Sequence, residues 1–394
     1  MISKRVRLLI TTTQLLFVIG IGFIGGYTET VPGPGISDRY AVIIKGKTGY
    51  INSKGELVIP AQFQDSSAFS GGLARAELNG KVGYIDPSGA LRIPARFDDG
   101  RDFSEGLACV RQGGLWGYIK FDGVFQIRPQ YTISECSQFH DGRAAIDANQ
   151  SPLGKLEFHA LKRVYYIDTL GIPLNIKSQQ RVVSIGDFSD GVAWIGVPGQ
   201  PWWVINRAGN ILSSSVSVCL QPNGFHNGLA SVEPKCGSKT GFVDVHGKFV
   251  ISPAFEEAGD FSDGLAFVRT NGKYGYIDTT GAFAISPTFD KALPFGQGLA
   301  FVKVGDKWGV IDKKGSWIVV PTFHLVGGTG EFSGELGAVM AVERSGGKCD
   351  INLRYINHAG ATVWGPSSIL PPVTSNVPDP ARAQEIEQLC KTWW

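Results

Sequence analysis

The chain has 394 residues, including 52 glycines and 21 prolines, a share of element-breaking residues well above average usage, so long helices do not dominate it. A hydrophobic fraction of 43%, with 23 Phe, 11 Tyr and 9 Trp, excludes a disordered or collagen-like chain. Lys plus Arg is 37 against 35 Asp plus Glu, and a formal charge of +2 argues against nucleic acid as partner, because phosphate binding relies on a clear basic excess.

Lys4, Arg5 and Arg7 precede an uncharged stretch from Leu8 to Gly26, after which polar, Pro/Gly-rich sequence begins. Basic flank, apolar run and polar exit follow the order of an export signal. At ~1.5 Å per helical residue the run also nearly spans a ~30 Å hydrocarbon core. Residues 1–26 therefore read as a signal peptide or an N-terminal membrane anchor, and residues 27–39 as a linker. Either reading exports the remainder: periplasmic, secreted, or held at the membrane by this segment alone.

Six cysteines agree with an oxidising compartment, where an even count favours disulfides. Sequence neighbours pair Cys109 with Cys136, Cys219 with Cys236, and Cys349 with Cys390. The alternative is that some are free, buried and packed as small apolar residues.

From residue 40 onward the sequence repeats itself. Gly83-Tyr84-Ile85-Asp86 recurs as Gly117-Tyr118-Ile119-Lys120 and Gly275-Tyr276-Ile277-Asp278, and variants bring the total to nine copies between Gly49 and Asn357. Gly49 to Gly83, Gly83 to Gly117, Gly241 to Gly275 and Gly275 to Gly309 are each 34 residues apart. A second block, Phe-Ser-x-Gly-Leu-Ala, recurs at Phe69, Phe103 and Phe261, with looser copies opened by Phe139, Phe188, Phe225, Phe295 and Phe332. Between the blocks come a turn glycine and an Ile/Val-x-Pro-x-Phe element such as Ile251 to Phe255.

One unit shows the local logic. Leu265 to Arg269 is short, apolar and β-branched; Asn271-Gly272 is a strong hairpin signal; Tyr274 to Asp278 is a second strand. Asp278-Thr279-Thr280-Gly281 then reads as a β-turn and Phe283 to Ile285 as a third strand, with Pro287 ending the ladder for want of an N–H. The expectation is an all-β chain of tandem repeats of about 34 residues, each a three-stranded antiparallel meander with an irregular return. The array begins on a first strand, Tyr40 to Ile44, and ends after a third, Ala361 to Trp364, so no unit is split to clasp a ring. Nine units also exceed the usual four to eight propeller blades, which favours an open superhelical array over a closed β-propeller-like ring, the alternative.

These residues resemble the WG, or KWG, repeat, named for the Lys-Trp-Gly seen here as Lys307-Trp308-Gly309 and in part as Trp116-Gly117. The resemblance covers about residues 40–366. It implies a bacterial source and, in many members, a cell-envelope or extracellular setting, without an agreed ligand.

Asp86, Asp168, Asp244, Asp278 and Asp312 each open an Asp-x-x-Gly turn, where Asn52, Asn206 and Asn357 substitute, so turn chemistry accounts for them. Glu105, Asp141, Asp190 and Asp263 precede glycine at a tight bend of the second block. The six histidines lack ligand spacing, and no nucleophile elbow or phosphate loop is present, so the expectation is a non-enzymatic protein without metal or cofactor. Where copies diverge a site is best sought. Unit four carries an insertion around Ala148 to Lys162, and unit five replaces its hairpin with Pro198-Gly199-Gln200-Pro201 followed by Trp202-Trp203. Trp194, Trp202 and Trp203 are thus the candidate ligand or partner surface, with core filling as the competing reading. The function expected is a binding scaffold of the cell envelope recognising a protein, peptide or glycan; the alternative is an enzyme acting on envelope polysaccharide. Residues 367–394 read as a Pro-rich segment and a short capping helix entered through Asp379-Pro380.

Overall fold

The computed structural model describes residues 38–133, 136–147, 164–178, 180–219, 222–326, 332–345 and 348–365. The export segment, most of the linker, the insertion of unit four, Cys390 and the capping helix lie outside these residues.

Among the described residues every regular element is a strand, and the strands group into nine antiparallel sheets, one per sequence repeat. Two compact units result, one of residues 38–68 with 289–365 and one of residues 69–288.

Repeat 3, in the second unit, shows the plan: Asp99–Ser104, Leu107–Gln112, Leu115–Ile119 and Phe125–Tyr131, in that spatial order. The expected irregular return is therefore a fourth strand. It is only two residues long in repeats 5, 7 and 8, at Ser184–Ile185, Glu257–Ala258 and Lys291–Ala292, too short for the alternation that marks a strand in sequence.

Glycine at the head of Gly-Tyr-Ile-Asp is required by a close backbone approach. Trp116 pairs with Tyr131 but Tyr118 with Ile127, so the third strand bulges by two extra residues over Gly117. A Cβ on Gly117 would lie 2.6 Å from the Ile127 carbonyl oxygen and 2.7 Å from the Pro129 nitrogen. The same bulge explains the proline. Pro287 does not end the ladder as expected: the strand runs through it, Phe283–Phe289, because the bulge lifts proline off positions that need an N–H.

The Asx turns are as the sequence implies. Asp278 Oδ1 accepts from Thr280 N at 2.9 Å and Ala282 N at 3.1 Å, and Asn52 Oδ1 accepts from Lys54 N at 3.0 Å and Glu56 N at 2.9 Å. Gly281 and Gly55 follow with φ of +88° and +82°, the left-handed geometry that closes a three-residue hairpin.

Within the first unit, repeat 1 (Tyr40–Ile44, Lys47–Ile51, Leu57–Phe63) packs on repeat 9 (Leu336–Ser345, Lys348–Asn357, Thr362–Trp364). Tyr355 Oη donates to the Ala41 carbonyl at 2.9 Å, Glu335 N donates to Tyr40 Oη at 2.9 Å, and the rings of Tyr40 and Tyr355 lie 6.0 Å apart. The first and last repeats are neighbours, which corrects the open-array expectation in favour of its ring-like alternative. The inference from the missing clasp failed because side chains join the ends and no strand is exchanged.

Candidate functional site

Three kinds of feature between and around the repeats bear on function: aromatic seams, polar seams and exposed turns. In the aromatic seam the tyrosine of one repeat meets the phenylalanine that opens the next. Tyr84 meets Phe103 at 5.0 Å, Tyr118 meets Phe139 at 4.9 Å and Tyr166 meets Phe188 at 4.8 Å, all edge to face. Each buried hydroxyl donates to a carbonyl of the next repeat, Tyr84 to Arg101 at 2.7 Å and Tyr118 to Ser137 at 2.8 Å, and burial pushes both phenols well above the ordinary tyrosine range.

Trp194, Trp202 and Trp203 belong to this seam system and form no common ligand surface. Trp194 is 2% exposed and Trp203 8%. Successive strand residues point to opposite faces, so Trp203 joins Tyr166, Phe188 and Ile205 in one core while Trp194, with half-buried Trp202 against it, joins Val204, Phe225 and Val243 in another. The candidate surface is thus corrected to core. Repeat 5 lacks the tyrosine, having Val204 in its place; Trp194, the cross-strand partner of Val204, stacks on Phe225 instead and donates its indole N–H to the Asn223 carbonyl at 2.8 Å. Trp203 occupies the glycine position, and the third strand answers: Trp202 pairs with Val216 and Val204 with Ser213, one extra residue where repeats with glycine have two. Repeat 8 makes the same exchange, Val310 opposite Phe301, which stacks on Phe332 at 5.3 Å.

Cys109 and Cys136 form a disulfide, as do Cys219 and Cys236, with Cα separations of 6.4 and 4.8 Å. The Cys349 to Cys390 pairing falls outside the described residues.

The polar seam comes from the second block. Its two-residue turn holds Glu105, Asp141, Asp190 and Asp263 at φ of 51° to 53°, with glycine next. Sequence analysis read these carboxylates only as turn residues. Each of the first three also reaches the next repeat: Glu105 accepts from Gly142 N, Asp141 from Gly191 N and Asp190 from Gly228 N, all at 2.7 Å. The serine before them stitches likewise, Ser70 Oγ to the Phe103 carbonyl and Ser104 Oγ to that of Phe139, both at 2.6 Å. Two repeats replace this serine with a buried histidine, His140 and His226. His226 Nε2 is 3.9 Å from Asp260 Oδ2, Ser231 Oγ donates to Asp260 Oδ1 at 3.1 Å, and Asn223 Nδ2 donates to Ser231 Oγ at 3.3 Å. Serine, aspartate and histidine meet here, but the serine donates to the carboxylate and not to the imidazole, so the arrangement lacks the base contact a nucleophile needs.

The turns opened by Lys120 in repeat 3 and by Asp168 in repeat 4 depart from the rest on the outside. Phe121 and Val124 are 40% and 55% exposed, Leu170 and Ile172 64% and 56%. The corresponding turns of repeats 1, 5 and 8 carry Lys54 and Glu56, Arg207 and Asn210, or Lys313, Lys314 and Ser316, and those of repeats 2, 7 and 9 carry small residues, Ala90, Ala282 and Ala361.

Five segments, residues 49–81, 83–116, 241–274, 274–308 and 308–340, match the family described as WG containing repeat. The chain carries WG repeats. The five matched segments lie in repeats 1 to 3 and 6 to 9, leaving out the core of repeats 4 and 5, where the insertion and the tryptophan exchange occur. No curated protein matches the sequence. Among solved structures, a eukaryotic initiation factor is similar at a TM-score of 0.53 with 13% identity, covering 82% of this chain and 94% of its own, a likeness of fold alone. AztD from Citrobacter koseri (TM-score 0.35, 14% identity, 76% of this chain and 82% of its own) and the extracellular domain of a hybrid two-component system from B. thetaiotaomicron (0.30, 11%, 76% and 48%) are more distant.

Proposed function

We propose that this WG-repeat chain is an exported, non-catalytic scaffold of the cell envelope that binds a protein through the exposed turns of repeats 3 and 4. The observation that carries the reading is a set of exposed apolar side chains in the turns of two successive repeats, Phe121 and Val124, then Leu170 and Ile172, with Phe121 also stacked on Phe103, where the turns of repeats 1, 5 and 8 carry charged and polar residues. Exposed apolar side chains grouped on one end of successive repeats suit the apolar anchors of a protein partner. A sugar-stacking platform loses its basis with Trp194 and Trp203 in the core. Export is supported by the two disulfides together with the basic, apolar and polar order of residues 1–26. A non-catalytic role is supported by the Ser231 to Asp260 hydrogen bond, which takes the hydroxyl away from the imidazole.

A photo-crosslinking residue at position 170, compared with one at position 314, tests the reading in the producing cell. The expected result is a discrete protein adduct at 170, absent at 314 and lost with Phe121→Asp. Equal labelling at both positions, adducts insensitive to Phe121→Asp, or adducts only with polysaccharide would overturn it.

A further inference from the structure

Repeats 4 and 6 depart from the serine stitch in the same way, and in both the following repeat supplies an aspartate. His140 stands in the turn of repeat 4 and Asp187 directly precedes Phe188 of repeat 5; His226 stands in the turn of repeat 6 and Asp260 directly precedes Phe261 of repeat 7. His140 and His226 are 6% and 8% exposed. We propose that the His140 and Asp187 pair and the His226 and Asp260 pair make these two seams pH-responsive joints, looser at neutral pH and firmer in mild acid, unlike the serine seam between repeats 3 and 4, where Gln138 stands in place of the aspartate.

The groups facing each aspartate are few. Around Asp260 are His226, Ser231 and Asn223. Around Asp187 are His140 and the phenols of Tyr118 and Tyr166; Tyr166 spends its proton on the Gly186 carbonyl at 2.5 Å and Tyr118 on that of Ser137. Neighbouring carboxylates hold fixed partners: Glu105 on Gly142 N, Asp141 on Gly191 N and Arg207, Asp190 on Gly228 N. Burial raises both aspartates above the ordinary range, and the histidine charge opposes the rise without cancelling it. A carboxyl raised by folding contributes stability that is fully present below the ordinary aspartate value and is lost as pH climbs through the raised one. An ionised aspartate in these seams therefore weakens them at neutral pH, and protonation removes that cost. The seam between repeats 3 and 4 joins Ser104 Oγ to the Phe139 carbonyl and has Gln138 where the histidine seams have aspartate, so no carboxyl titrates at that position; the seam between repeats 2 and 3 keeps Asp102 there and is not the reference.

Hydrogen exchange read by mass spectrometry at about pH 7 and about pH 4.5, corrected for intrinsic rates, compares the seams inside one molecule. Peptides covering 137–146, 184–193, 223–232 and 258–266 should gain protection in acid relative to one covering 104–112, whose seam has Gln138 in the aspartate position. Asp187→Asn and Asp260→Asn should abolish the gain at their own seam. His140→Ser and His226→Ser should enlarge it, since the opposing charge is gone. Protection that is flat or falls in acid at the histidine seams, or a gain that survives the asparagine substitutions, would overturn the proposal. If an asparagine variant does not fold, the wild-type comparison and the serine variants still decide.

Discussion

The Trp194 ring stacks on Phe225 with centroids 4.9 Å apart and planes 22° from parallel, in a seam where other repeats of the same unit set a tyrosine edge-on to the phenylalanine. Position and partner are exchanged together: Val204 yields the tyrosine site and the residue across the strand pair takes its work, including the hydrogen bond to the following repeat. Trp194→Ala should therefore destabilise by about 3–5 kcal/mol as a core aromatic truncation. Adding Val204→Tyr should recover part of the loss, because it restores the usual geometry. Denaturant unfolding of wild type, single and double variants measures both.

Phe261 opens the second block of repeat 7, is 2% exposed and meets Phe242 at 5.0 Å. Its truncation to alanine should cost about 3–5 kcal/mol. Asp278→Asn should leave the unfolding midpoint near that of the wild type, since asparagine already fills the same turn at Asn52 and Asn206 with the same bonds. An asparagine loss as large as the Phe261 loss would show that the carboxylate does more than close a turn.

Gly275→Ala places a methyl group 2.5 Å from the Ile285 carbonyl oxygen and 2.7 Å from the Pro287 nitrogen, both backbone atoms that a rotamer change cannot move. The expected cost is about 1–3 kcal/mol or more. At position 203, where the bulge is one residue shorter, the reverse change Trp203→Gly should also destabilise, by removing a core side chain without restoring the longer bulge. Thermal unfolding of the two variants makes the comparison.

The two disulfides differ in access. Cys109 and Cys136 are 1% and 6% exposed and belong to the core with Trp116 and Tyr118, whereas Cys236 is exposed. Graded dithiothreitol followed by alkylation and peptide mass analysis should label Cys219 and Cys236 first, and Cys109 and Cys136 only as the surrounding repeats open.

Hydrogen bonds from Ser88 lower the Asp86 carboxyl, and those from Thr280 lower Asp278. A depressed carboxyl contributes stability present above the ordinary aspartate value and lost as pH falls through its own. Below about pH 4 these exposed turns should therefore loosen, opposite in sign to the seams at Asp187 and Asp260. Carboxyl chemical shifts followed by NMR through the acid range distinguish the two sets by the direction of each midpoint.

Much of the architecture is legible along the chain because its causes are local. Asn271-Gly272, the Asx-x-x-Gly turns and the recurring glycine each answer to constraints within a few residues, and the structure keeps all three. Pro287 misled because its effect depends on a bulge, a relation between two strands that spacing does not show. The tryptophans misled for a related reason: in the one-dimensional string they cluster, while the alternation of strand faces sends Trp203 and Trp194 into different cores. A signal for the exchange was present, since Val204 and Val310 lack the aromatic that Trp194 and Phe301 supply one strand away.

The sequence by itself determined the all-β character, the nine repeats and their turns, because backbone conformation and turn chemistry act over a few residues and are repeated until they are unmistakable; it suggested the cysteine pairs, and the structure shows two of them. Only the tertiary structure decided that repeats 1 and 9 are neighbours, that carboxylates such as Glu105 bind the following repeat, and that apolar side chains at Phe121 and Leu170 stay outside while Trp194 goes in. These depend on contacts between residues far apart in the chain, 37 positions for Glu105 and Gly142 and 314 for Ala41 and Tyr355, and burial is a property of such contacts and not of the residue that makes them.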